Sequence, residues 1–154
     1  EDDDSVWGED AIVLEANSRD YEPRVRGTNE RAAVLADFLA RHPKVGRVFY
    51  PTLVGTTEYD AFRRPNGGYG GLLSITLRDG TGAAPRFFDA LRISKGPNLG
   101  MNYSLACPYT ILAHYDELEF AELCGVSQHL VRISVGLEEP QDLVERFGRA
   151  LAAF

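Results

Sequence analysis

Lysine is almost absent. Of 16 basic residues only Lys44 and Lys95 are lysines, against 23 acids, and the formal net charge is −7. No stripe of basic residues runs along the chain, so the electrostatic footprint of a nucleic-acid-binding protein is missing. Cysteine is equally scarce. Cys107 and Cys124 make neither a disulfide framework nor a Cys-x-x-Cys pair, and both are read as reduced, buried thiols of an intracellular protein. The histidines, His42, His114 and His129, are scattered without ligand spacing, so no metal site is expected. No apolar run approaches the roughly 18 residues that a membrane helix needs. The start, Glu1–Asp10, lacks a basic region leading into an apolar core and is not a signal peptide. Its six acids mark residues 1–10 as an acidic, flexible segment, and it reads as the interior of a longer chain.

What is present is ordinary in bulk. Hydrophobic residues at 44% and charged residues at 25% suit a globular domain, and 154 residues suffice for one core. The most informative stretch is His129–Leu137, H-L-V-R-I-S-V-G-L. It is β-branched and alternating, the pattern of a strand with two unlike faces. Val131, Ile133 and Val135 point one way, Arg132 and Ser134 the other. An arginine inside so apolar a strand carries a planar, permanently charged fork of donors that matches a carboxylate. The plain alternatives are a solvated strand face or a pairing of Arg132 with a nearby acid such as Glu138.

The other elements follow from periodicity. Ala11–Asn17 has the composition of a short helix, and Ser18–Pro23 breaks it. Arg24–Arg41 is strongly helical, with Ala32, Leu35, Ala36, Phe38 and Leu39 on one side and His42-Pro43 as the stop. Val45–Tyr50 and Leu72–Leu77 read as strands, with a turn or two of helix over Glu58–Arg64 between them. The glycine-dense Pro65–Gly71 lacks a Gly-Lys-Ser/Thr ending and leads into a strand, so it is a tight turn and not a phosphate loop. A helix from Thr81 carries Ala84, Phe87, Phe88 and Leu91. Ser94–Tyr109 gives a loop, a strand around Tyr103–Ala106 and a helix starting near Pro108. Asp116–Cys124 is helical and closed by Gly125. Glu138-Glu139-Pro140 opens a last helix with Leu143, Val144, Phe147 and Leu151 on one side. The fold class is α/β (an α+β sandwich). Strand direction is not written in the alternation itself. We expect about four strands, mostly antiparallel, covered by helices on one face, with Arg132 turned away from those helices.

Three stretches, in order, carry a family likeness. Leu130–Glu138, L-V-R-I-S-V-G-L-E, resembles the arginine strand near the C-terminus of the cysteine/methionine-metabolism family of pyridoxal-phosphate (PLP) enzymes. Tyr103–His114, Y-S-L-A-C-P-Y-T-I-L-A-H, is similar to the family's S-L-G-G-x-E-S-L-x-x-H segment. Gly68–Leu77 looks like its glycine-rich approach to the first long strand of the small domain. Upstream, R-V-R-G-T-N-E-R-A and F-L-A-R-H-P-K-V-G-R-V-F-Y-P follow its connecting helix and next strand. The likeness spans about residues 11–154, which it identifies as a C-terminal small domain lacking the large cofactor-binding domain.

Within the family the insertion Lys95–Asn102 is most similar to the cystathionine γ-synthase branch. The resemblance implies a transferase of transsulfuration and methionine biosynthesis that makes cystathionine from an O-activated homoserine and cysteine by γ-replacement. It implies PLP as cofactor, bound by the missing domain, an amino-acid substrate, a homo-oligomeric parent enzyme and a cytoplasmic location. Arg132 then binds the substrate α-carboxylate and Ser104 lies beside cofactor and substrate, the plain alternative for Ser104 being a hydroxyl satisfied by its own backbone; Tyr109 and Asn102 either line the site or are packing residues. His114 is read as a structural group at a helix end. Ala106-Cys107 replace the family's glycine pair, and Tyr109 stands in place of a glutamate. Neither lysine lies in the family's Ser-x-x-Lys setting, so this chain is expected to hold no catalytic residue and to be inactive alone. The competing readings are a cystathionine or methionine γ-lyase domain and a non-catalytic α/β module that binds a small carboxylate.

Overall fold

The computed structural model describes residues 6–154. The first five residues of the acidic segment lie outside the described ones, and helix α1 (Gly8–Ser18) already begins within it. Helix α2 (Tyr21–Arg41) follows after a two-residue break and ends at His42, before Pro43. Then come β1 (Val45–Phe49), the short helices α3 (Pro51–Val54) and α4 (Thr57–Phe62), β2 (Leu72–Leu77) and α5 (Gly80–Ala90). The second half comprises β3 (Ser94–Lys95), β4 (Leu105–Pro108), α6 (Tyr109–Ala113), a 3-10 turn, α7 (Leu118–Leu123), β5 (Val131–Ser134) and α8 (Pro140–Ala152).

The sheet has the order β1-β2-β5-β4-β3. Its pairs are antiparallel except β3 with β4, which are parallel. The expected α/β arrangement with a mostly antiparallel sheet is therefore present, with five strands where about four were expected. The extra one is a two-residue edge, too short to leave any alternation in the sequence. Helix α3 also escaped the pattern, because four residues opening on Pro51 carry no period.

Strand alternation divides the sheet into two faces. Val45, Val48, Leu73, Ile75, Leu77, Ala106, Val131 and Ile133 join one buried cluster with Leu35 and Leu39 of α2, Phe87 of α5, and Leu143, Phe147 and Leu151 of α8. A register shift at Gly46 lets both Val45 and Val48 reach this side. The rings of Phe87 and Phe147 meet at a centroid distance of 6.1 Å. The opposite face carries a row of register partners, Phe49, Ser74, Arg132 and Cys107, one from each of the four long strands.

Not every apolar position is covered. No residue of α1 is buried, and Ile12, Val13 and Leu14 stand in the open. Leu123, in the stretch where Leu118, Ala121 and Leu123 give the apolar pattern, is 86% exposed. Cys107 is buried as expected, whereas Cys124 is exposed, because α7 turns the end of that stretch outward. Among the described residues no helix is long and apolar enough to cross a membrane.

Tyr50 links the sheet to the glycine segment. It is fully buried, and its hydroxyl donates to the Gly70 carbonyl at 3.1 Å. Gly70 has φ +90°, and its N–H donates to the Asn29 side chain at 2.8 Å. The glycine run is thus a turn pinned to α2, as its sequence context suggested. Burial raises the Tyr50 phenol above its ordinary value, with a smaller contribution from Tyr69. The folded chain then keeps a proton that the unfolded chain loses, so this contribution is intact below about pH 10 and disappears as pH rises beyond it. Tyr50→Phe is expected to cost about 1 kcal/mol at neutral pH. It should also reduce the loss of stability between about pH 9 and pH 11, read as urea midpoints across that range.

Candidate carboxylate-binding site

Arg132 sits in the middle of β5, between Ser74 of β2 and Cys107 of β4. Its neighbours Val131 and Ile133 are in the helix-covered core, so alternation puts its side chain on the other face. Arg132 as a residue is half-buried. Its Nη2 donates to the Pro97 carbonyl at 2.5 Å, and its Cζ lies 4.8 Å from the centre of the Tyr109 ring. None of the ion pairs among the described residues involves Arg132. A long cation held on the open face of the central strand, with one donor engaged and no acid among the described residues neutralising it, can accept a carboxylate.

The loop between β3 and β4 forms the roof. The Gly96 N–H donates to Ala106 O at 3.0 Å and the Gly100 N–H to the Ser134 hydroxyl at 3.1 Å. The Leu137 N–H donates to Asn102 O at 2.8 Å. Leu105, Cys107 and Ser134 are buried on this face. Burial pushes the Cys107 thiol up, outweighing the opposite pull of Arg132, so it is not poised as a thiolate nucleophile.

Ser104 lies under the same roof, tied within the fold. Its hydroxyl donates to Glu138 Oε2 at 2.8 Å and accepts from the Gly136 N–H at 2.9 Å, while its own N–H donates to Glu138 Oε1 at 2.6 Å. It is 1% exposed. Glu138, the acid the sequence offered as a partner for Arg132, is occupied with Ser104 instead, and its backbone carbonyl accepts from Arg31 Nε at 2.7 Å. Asn102 is exposed and borders a polar cavity of about 280 Å³ with Asn17, Asp20, Arg24, Gly100 and Met101. The fold therefore brings Tyr109 to Arg132 and places Ser104 and Asn102 in separate clusters. His114 follows α6, where its Nδ1 meets Glu117 Oε1 at 2.6 Å, a helix-end role as read from the sequence.

Two participants left no sequence signal of their own. The Pro97 carbonyl is backbone, invisible to residue-type reasoning. Glu138 could be seen only as a neighbouring acid, and its partner is fixed by how the chain turns at Gly136.

The sequence model of the Cys/Met metabolism PLP-dependent enzymes matches residues 9–152. The chain belongs to this family. Its relatives include the cystathionine γ-synthases of Neurospora crassa, 45% identical over 96% of this chain, and of Saccharomyces cerevisiae, 42% identical over 96%. The L-methionine γ-lyase of Pseudomonas putida is 37% identical over 94%. This chain spans 24% of the two synthases and 37% of the lyase, about a quarter to a third of their length.

A family defined by PLP prompts the question of whether these residues could hold it. PLP chemistry needs a free lysine and a phosphate cup. Lys44 Nζ donates to Leu151 O at 2.9 Å and to Phe154 O, and lies 4.6 Å from the centre of the Phe154 ring. Lys95 Nζ donates to Phe88 O and Leu91 O, each at 2.6 Å, and lies over the Phe88 ring. Each ammonium thus closes the C-terminal end of a helix, α8 and α5 respectively, where the last carbonyls lack partners. Burial is the main cause of the lowered Lys95 pKa. The described residues do not fit the cofactor by themselves.

Proposed function

We propose that the protein to which this chain contributes is a cystathionine γ-synthase, joining an O-activated homoserine to cysteine by PLP-dependent γ-replacement in transsulfuration. This chain is its C-terminal small domain. A large PLP-binding domain of the same polypeptide supplies the lysine, and the whole works as a cytoplasmic homo-oligomer. Within it, Arg132 binds the amino-acid α-carboxylate. Two charge-assisted N–H donors grip the two carboxylate oxygens and fix how the substrate lies at the reacting centre. The observation that carries this reading is the unneutralised guanidinium of Arg132 on the sheet face away from the covering helices. Tyr109 borders that site, and Asn102 closes the loop end. Ser104 contributes by holding the strand ends that frame it.

Support for the synthase over the lyase is the higher identity to the fungal synthases and the Lys95–Asn102 loop that roofs Arg132. The γ-lyase reading draws on the Pseudomonas putida relative. The two separate in one assay of the full-length protein. A synthase makes cystathionine from cysteine and an O-activated L-homoserine, the O-acetyl and O-succinyl esters being assayed side by side, whereas a lyase consumes cystathionine or methionine without a second thiol. The chain over residues 1–154, mixed with PLP, is expected to show no protein-bound absorbance band and no turnover. A band abolished by changing Lys44 or Lys95 would overturn the assignment of the cofactor to another domain.

A further inference from the structure

We propose that Tyr109 is a positioning residue: its ring and the Pro97 carbonyl together hold the Arg132 guanidinium in the pose that meets a carboxylate, and Tyr109 does not itself bind the substrate. This rests on the reading of Arg132 given above. Arginine on a strand has a long, mobile side chain, and its cross-strand neighbours Ser74 and Cys107 are too small to confine it. Two contacts from outside the strand do confine it. The Tyr109 ring lies 4.8 Å from Cζ, within the range where a weakly hydrated guanidinium stacks on an aromatic face. The Pro97 carbonyl takes one Nη2 proton at 2.5 Å. A neutral carbonyl and a ring restrain the cation without cancelling its charge, which an acid would have done.

Tyr109 is itself fixed from three sides. It opens α6 directly after β4, its N–H donates to Leu130 O at 3.1 Å, and its ring meets His114 edge-on at 6.2 Å. The Pro97 carbonyl is fixed by the loop anchors at Gly96 and Gly100 on either side. The clamp is therefore built on elements that do not depend on the substrate. No hydrogen bond to the Tyr109 hydroxyl is needed, which makes the ring and not the oxygen the working part.

The test uses the full-length enzyme, with O-acetyl-L-homoserine as the varied substrate. Tyr109→Leu is expected to raise KM about threefold to fivefold while kcat changes by less than about twofold. Tyr109→Phe, which keeps the ring, should recover most of that loss. On an Arg132→Gln background, adding Tyr109→Leu should raise KM by less than about twofold more, since there is no cation left to hold. Equal losses for Leu and Phe would show the hydroxyl touching the substrate and overturn the proposal. So would a Tyr109→Leu cost that persists in full without Arg132, the signature of a merely structural residue. If Arg132→Gln alone leaves KM unchanged, the carboxylate reading fails instead. If Arg132→Gln raises KM and Tyr109→Leu does not, only the present inference fails.

Discussion

Gly136→Ala is expected to destabilise the chain by about 3 kcal/mol. A Cβ at this position would lie 2.4 Å from the Tyr103 carbonyl carbon, 2.5 Å from its Cα and 2.6 Å from the Ser104 nitrogen. All three are backbone atoms, so no rotamer change relieves the overlap. The chain must move where β5 ends beside the approach to β4. That movement pulls on a closed set of bonds: Gly136 N–H to the Ser104 hydroxyl, Ser104 to both Glu138 oxygens, and Leu137 N–H to Asn102 O. Overpacking and the loss of buried partners for Ser104 therefore add. For a chain of this size a loss of about 3 kcal/mol corresponds to a fall in melting temperature of roughly 6–12 °C. Thermal or urea unfolding of the chain reads it. A fall of less than about 2 °C would mean that the two strand ends separate freely and that the Ser104 cluster does not hold the roof in place.

The same cluster shows what residue types can and cannot report. Alternation in V-R-I-S-V gave β5 and the face of Arg132 directly, because a strand obliges every second side chain to share a side. The apolar stripes of α2, α5 and α8 were equally readable, since each is buried by the other elements of this same chain. Where the burying partner was not legible, the pattern misled. Leu123 and the apolar residues of α1 recur like core positions yet lie exposed, and nothing in a period says which body a stripe will meet. Fine geometry was hidden for a different reason. Arg132 stands only six residues before Glu138 in the sequence, yet after the turn at Gly136 it is the distant Ser104 that takes the carboxylate. Arg132 is left with a carbonyl and a ring. Asn102, read from the sequence as either a site-lining or a packing residue, lines the cavity toward the α1–α2 break, and its own carbonyl is tied to Leu137.

Arg132→Lys is expected to weaken substrate binding strongly even though it keeps the charge. It replaces a planar fork with a shorter point charge and gives up the Nη2 bond to the Pro97 carbonyl. One of two parallel charge-assisted bonds to the carboxylate is lost, and the stacked contact with Tyr109 is weakened. Binding of the amino acid by the full-length protein should weaken by about 1.5–3 kcal/mol, which is roughly a ten- to hundredfold rise in the half-saturating concentration. Arg132→Lys should fold normally, because the helix-covered core does not include this side chain and no ion pair among the described residues depends on it. A matched measurement isolates the carboxylate. With the amide of the same amino acid, which offers no anion to the fork, native and Arg132→Lys proteins should bind with nearly equal affinity. If the acid and its amide respond alike to the substitution, the guanidinium grips some other group. If neither responds, Arg132 is a solvated strand residue stabilised by its ring and its carbonyl, and the substrate's carboxylate must be bound elsewhere in the whole enzyme.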